Sequence, residues 1–240
     1  MNPNYRLLAW LACAAAIGAC GGGKPQLSEA PPAAVIAIDG QWVTRPEVDS
    51  LAAFLLEGTP LAGEDTARSA ALEAGLFPRA LARRDFAPGV GEARKKAAVA
   101  LAMLRDKHVF EDVRTQLSQA LVPKVPIAVP RKLIDPLLGA AVFGKPAGYL
   151  TPEAIETTYA CVIARVDLPD PEAGPGQEKV ILSTIEFFYD PALADASFRI
   201  PWARMGMLEA NYVFAVPAAY DWMPPFLRAR VPDPRGPAGR

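Results

Sequence analysis

The apolar positions of this chain fall in blocks whose spacing changes along its length. Residues 33–38 are one apolar run, Asp39-Gly40 interrupts it, and Gln41-Trp42-Val43 resumes it. An Asp-Gly pair between two short apolar runs predicts a β-hairpin. Thr44-Arg45-Pro46-Glu47 then predicts a helix start. Thr44 can cap free amides, Glu47 can reach back three residues, and Pro46 is tolerated in a first turn. Val48, Leu51, Ala52 and Leu55 recur at i, i+3, i+4 and i+7, one face of that helix, and Gly58-Thr59-Pro60 ends it. Residues 64–86 keep helical spacing but carry Gly75 and Pro78, which predicts a kink or two helices. Pro88-Gly89-Val90-Gly91 predicts a break. Residues 92–119 form the longest helix candidate, with Val99, Met103, Phe110, Val113 and Leu117 on one stripe and Asp106 pointing into it.

Beyond Leu121 the pattern changes. Pro123, Pro126 and Pro130 exclude a continuing helix. Residues 133–143 suit a short helix, and residues 157–168 and 179–189 suit strands. Between the strands lies Pro169-Asp170-Pro171-Glu172-Ala173-Gly174-Pro175-Gly176, an extended loop. The last forty residues mix Trp202, Tyr212, Phe214, Tyr220, Trp222 and Phe226 with prolines and can wrap back over the core. Residues 231–240 are expected to be disordered. The expected class is α+β: a helical N-terminal module followed by a small, irregular, β-containing region.

The first twenty residues read as an address. Arg6 precedes an apolar run of 11 residues, Leu7 to Ile17, too short to span a bilayer and suited to a secretory signal. Ile17-Gly18-Ala19-Cys20 resembles a bacterial lipobox, which implies removal of residues 1–19 and acylation of Cys20. Gly21 after the cysteine implies, on the same resemblance, the periplasmic face of the outer membrane. Residues 20–32 would be a tether. Of the three cysteines, Cys13 leaves with the signal and Cys20 carries lipid. Cys161 is then left alone in an apolar run, as a core residue without a disulfide partner.

Composition narrows the function classes. Net charge is −1, which disfavours nucleic acid as a partner. The 25 prolines and 18 glycines predict broken elements. The only histidine is His108, on the long-helix candidate, so multi-histidine metal sites are excluded and no second ligand stands at the right spacing. Asp167, Asp170 and Glu172 lack the alternation of a calcium loop. Phosphate-loop, nucleophile-elbow and dinucleotide motifs are missing. Arg79, Arg83, Arg84, Lys95 and Lys96 read as a solvated basic face, or more weakly as a contact to anionic headgroups. No catalytic, cofactor-binding or metal-binding residue is therefore assigned, and no cofactor. A surface for unfolded chains needs adaptable apolar groups, and Met103, Met205, Met207, Met223, Trp42, Trp202 and Trp222 are available, although each suits a core equally well.

The run from Ala34 to Asp49, with Asp39-Gly40, Trp42-Val43-Thr44 and Glu47-Val48-Asp49, resembles the opening of SurA-like and PrsA-like periplasmic foldases, the parvulin-type peptidyl-prolyl isomerases. The helical stretch to Gln119, with Arg79-Ala80-Leu81-Ala82-Arg83-Arg84, is similar to the substrate-binding module of that family. Two registers link later residues to the family's catalytic domain. In one, Gly144-Lys145-Pro146-Ala147-Gly148 with Glu156-Thr157-Thr158-Tyr159 looks like its closing part. In the other, residues 149–153 with Ala160-Cys161-Val162-Ile163 look like its first strand. Neither contains the paired histidines of that domain, so no catalytic residue carries over. The resemblance implies a foldase-like module over residues 33–122, a degenerate parvulin-like region over 123–200 and an aromatic, Pro-rich tail over 201–240. The function it implies is a membrane-anchored periplasmic chaperone or assembly factor for unfolded envelope proteins. An active isomerase with a divergent site, or a structural lipoprotein subunit of an envelope or export complex, are the alternatives.

Overall fold

A computed structural model describes residues 29–58, 63–120, 127–169 and 178–236. The signal, Cys20 and most of the tether lie outside the described residues, as do Asp170 and Glu172 of the proline-rich loop. The architecture is α+β: eight helices among the described residues and two small antiparallel sheets.

The predicted hairpin forms. Strand β1 (Ala34–Ile38) pairs with β2 (Gln41–Thr44), with Ile38 opposite Gln41. Asp39 (φ 46°) and Gly40 (φ 81°) both take left-handed backbone, the requirement of so tight a right-twisted connection. Asp39 also has a second task. Its carboxylate accepts hydrogen bonds from the amide of Asn211 at 2.9 Å and from the Asn211 side chain at 3.2 Å, and pairs with Arg84. These contacts seat a third strand, β7 (Tyr212–Phe214), against the other edge of β1. The first sheet therefore has the order β2-β1-β7, with its fully buried central strand drawn from the beginning of the domain and one edge from its end.

Helix α1 (Arg45–Gly58) starts as the sequence predicts, with one change of detail. The amide and the hydroxyl of Thr44 both donate to Glu47 Oε2, at 2.9 and 2.8 Å, so Thr44 gives its proton to Glu47 instead of receiving one from the helix. Glu47 also takes a hydrogen bond from the buried Arg79. Burial works to raise the Glu47 pKa, but the Arg79 charge and the Thr44 bonds outweigh it and hold the carboxylate below its ordinary value. Phe54, not Leu55, completes the buried face of α1.

Residues 64–85 are one interrupted helix. Between α2 (Glu64–Ala71) and α3 (Phe77–Asp85) lies a single wide π turn, Leu72–Leu76. Pro78 lacks the amide that a regular turn would use, and a wider turn tolerates the loss. Gly75 sits where a Cβ would approach Leu51 to 2.8 Å, so the wide turn also presses closely on α1.

The long-helix expectation is corrected. Helix α4 (Ala87–Arg105) begins before Pro88-Gly89-Val90-Gly91, because Pro88 falls in its first turn, where its missing amide costs nothing. Gly89 packs against the carbonyl of Tyr189 so closely that any side chain would collide with it. The helix stops at Arg105, Lys107 takes φ 66°, and α5 (Phe110–Leu117) follows as a separate helix. His108 lies in that exposed turn, not on a helix. The buried face of α4 is Val90, Ala93, Ala97 and Ala100, whereas Val99 is 56% exposed. Alanines at i, i+4 and i+7 let the helix lie close on a sheet, a pattern that a search for large side chains passes over.

That sheet runs in the order β3-β6-β5-β4, from β3 (Ala128–Pro130), β4 (Ile155–Glu156), β5 (Ala160–Pro169) and β6 (Lys179–Phe188). The β5–β6 pair divides its side chains by parity. Cys161, Ile163, Ile185 and Phe187 face α4 and α5. Ala160, Val162, Ala164, Val166 and Val180 face α6 (Pro136–Val142). The predicted strands and short helix are thus present with shifted ends. Ser118 and Gln119 leave α5 to bond the free edge of β6, at Glu186 and Phe188.

Helix α7 (Ala196–Glu209) and the short α8 (Pro225–Arg228) complete the chain. Met207, Ala219, Trp222, Met223 and Leu227 enter the same core as β1 and α1–α3. The expected disorder from residue 231 is corrected as far as residue 236. Val231 packs on that core, and Arg235 forms a bidentate pair with Asp221 at 2.9 Å.

Candidate functional site

Two clefts adjoin at the Thr158–Tyr159 step. The first, of about 390 Å³, lies between the π turn and α7. Ala70, Ala74, Pro78 and Ala203 give it small apolar walls, with Ile200 and Met207 beside them. Glu73, which the wide turn carries outward, forms an ion pair with Arg204 at 3.0 Å across it. Arg204 also stacks on Phe226. Thr158 and Arg199 complete the lining. Arg199 lies over the Tyr159 ring, 4.7 Å from its centroid, and donates to the carbonyl of Leu193 at 2.6 Å.

The second cleft, of about 320 Å³, opens on the α6 side of the β5–β6 sheet. Ile127, Leu133, Ile134, Leu138 and Leu182 form its apolar walls, and Arg114, Asp135, Tyr159, Thr184 and Glu186 its polar ones. Asp135 caps α6, accepting from the amides of Leu137 at 2.9 Å and Leu138 at 3.4 Å. Its other oxygen accepts from the Thr158 hydroxyl at 2.9 Å and the Thr158 amide at 3.3 Å. Burial nevertheless pushes the Asp135 pKa up, and Glu186 follows, raised by burial with Asp135 adding to it. Burial raises Tyr159 as well, so its hydroxyl keeps its proton.

The residues singled out in the sequence scatter. Met207 lines the first cleft, and Met205 is 53% exposed outside it. Met223 and Trp222 are core, with Arg45 and Arg68 stacked on Trp222. Trp202 packs edge-on against Phe86 and donates to Asp85. Met103 packs partly buried against the second core, and Trp42 is half-buried on β2. The suggested basic face is largely internal pairing. Arg79 meets Glu47, Arg84 meets Asp39 and Asp85, and Arg83 meets Glu156, which also receives Arg94. Burial tends to raise Glu156, but the two arginines hold it below its usual value. Asp167 pairs with Arg165 at 2.7 Å. The Cys161 thiol is buried and pushed up to about 11, chiefly by that burial, which leaves it protonated and inert. No group of three potential metal ligands occurs among the described residues, and no helix among them is long and apolar enough to cross a membrane.

Most residues of the first cleft, among them Ala70, Glu73, Ala74, Arg199 and Ala203, carry no motif, and Thr158 stood out only within the parvulin-like stretch 156–159. Only the Gly75–Pro78 interruption hinted at the wide turn. Comparison with protein-family models, curated proteins and solved structures finds no match to this chain.

Proposed function

We propose that this chain is a lipid-anchored envelope protein that binds unfolded or partly folded polypeptide without nucleotide or cofactor. The observation that carries the reading is the first cleft. Its floor is apolar and built of small side chains that leave room for a client's larger ones, and its edge carries Ile200, an aliphatic residue that is 67% exposed. An extended chain offers apolar side chains in no fixed order, and such a groove buries them reversibly. Attachment through Cys20 would hold the cleft at the membrane where clients arrive.

The test is suppression of aggregation of a chemically unfolded model protein. The wild type is expected to suppress it. Ile200→Asp, which puts a charge at the rim of the cleft, should remove most of that effect. Met205→Asp, also exposed but outside the cleft, should not. Both substitutions are at the surface, so melting midpoints should stay close to wild type. Equal suppression by all three proteins, or none by the wild type, would refute the reading.

A second reading is favoured by the second cleft. An apolar pocket edged by hydroxyl and buried carboxyl groups can desolvate a prolyl imide, which is what isomerisation requires. Acceleration of prolyl isomerisation in a short peptide, lost in Leu182→Glu, would make the protein an isomerase.

A further inference from the structure

The first cleft has a charge of its own. Three charged side chains line it: Glu73, Arg199 and Arg204. Glu73 and Arg204 neutralise one another across it at 3.0 Å. Arg199 has no such partner. Among the described residues no carboxylate lies within ion-pair distance of it, and its hydrogen bond goes to a carbonyl, that of Leu193. A guanidinium carries five N–H donors in a planar fork, so several remain for a ligand. Its position is also fixed, because the plane rests over Tyr159 and one arm is tied to Leu193. The carboxyls around Arg199 are engaged elsewhere: Asp195, at the start of α7, feels the Arg199 charge but its side chain accepts from the Ser197 amide. Asp135 accepts from Thr158 and the start of α6, and Glu186 accepts from Thr184.

A positioned cation beside a small-residue apolar floor matches one kind of segment. We propose that the cleft selects extended polypeptide segments in which an aliphatic residue stands next to an Asp or Glu, with the aliphatic side chain on Ala70, Ala74, Ala203 and Met207 and the carboxylate on Arg199. The inference rests on the client-binding reading above and supplies its selectivity. A carboxylate on a guanidinium makes charge-assisted hydrogen bonds, stronger than those of a neutral amide in the same place. A lysine in that position would meet like charge.

The test uses the full chain and short fluorophore-labelled peptides, acetylated and amidated, with a common aliphatic centre flanked by Glu, Gln or Lys. Affinity is read by anisotropy. The wild type should bind the Glu peptide about tenfold more tightly than the Gln peptide and the Lys peptide more weakly still. That preference should shrink in high salt. Arg199→Gln should abolish the preference, so that Glu and Gln peptides bind alike, and Arg199→Lys should keep part of it. A melting curve for each variant shows whether the fold survives. If the wild type binds Glu and Gln peptides equally, the selectivity is refuted and the client-binding reading stands. If it binds none of them, both fall. Preference that appears only when the peptide carries a free C-terminal carboxylate would overturn the internal acidic residue in favour of a chain terminus.

Discussion

A chain truncated after Ala210 should lose the cooperative unfolding of its N-terminal half. The first core is built from both ends of the described chain, and the removed part supplies β7, Trp222, Met223 and Leu227. Trp222, Met223 and Leu227 are all at most 5% exposed. Burying a large apolar side chain contributes about 1.5–3 kcal/mol, so losing three removes roughly 5–9 kcal/mol. A domain of this size has only about 5–15 kcal/mol in total. The β1–β2 hairpin would also be left as two strands, which are marginal alone, with the buried central strand opened along one edge. Circular dichroism melts and limited proteolysis check this. A single substitution within the same argument, Met223→Ala, should cost about 2–5 kcal/mol. A truncated chain that melts like the wild type would mean that residues 34–85 fold without their C-terminal partner.

This dependence shows where sequence reasoning reached its limit. Local signals were legible. Asp39-Gly40 gave the hairpin, Thr44 and Glu47 the helix start, and the two apolar runs the β5–β6 pair. Each depends on residues close together in the chain. What was not legible depends on distant ones. Nothing in Tyr212-Val213-Phe214 names Ile36 and Ile38 as its partners, and the anchor, Asp39 to Asn211, spans 172 positions. The Glu92–Gln119 helix failed for a subtler reason: the chain turns at Lys107 in a left-handed conformation that lysine seldom adopts, without a glycine or proline to mark it. The stripe chosen on it failed because large side chains were weighted and the alanines of α4, which do the packing, were not. The first cleft was hidden for both reasons. Its walls are alanines, and they come together from α2, the π turn, α3 and α7. The interruption at Gly75 and Pro78 was read as a kink, whereas its effect is to carry Glu73 and Ala74 into that cleft.

Asp135 joins the two clefts, and its variants separate capping from charge. Asp135→Ala should destabilise the protein by about 2–4 kcal/mol, since it removes the cap of α6 and strands the hydroxyl and amide of Thr158. Asp135→Asn should cost less at neutral pH, because an amide oxygen still caps Leu137 and Leu138 and the NH2 can donate to the Thr158 hydroxyl, although the Thr158 amide loses its acceptor. The pH dependence follows from the direction of the shift. Burial raises the carboxyl in the fold, so the native state favours the protonated acid. The resulting stabilisation is fully present below the unfolded value, about 3.9, and is lost as pH rises through the raised native value. Glu186 acts in the same direction, whereas Glu47 and Glu156, both lowered, contribute stability that is lost as pH falls. The raw pH profile of the wild type therefore mixes opposite signs. The difference between wild type and Asp135→Asn isolates one of them, and it should move in favour of the Asn protein as pH is raised from about 4 to about 7. Denaturant titrations of the two proteins measure it. A difference that stays flat would mean that the buried carboxylate is ionised without cost and that its bonds to Thr158 and α6 compensate burial in full. Thr158 lines the first cleft, so the same pair carries a functional readout. Client binding should survive Asp135→Asn and weaken in Asp135→Ala, where the wall shared by the two clefts loses its anchor.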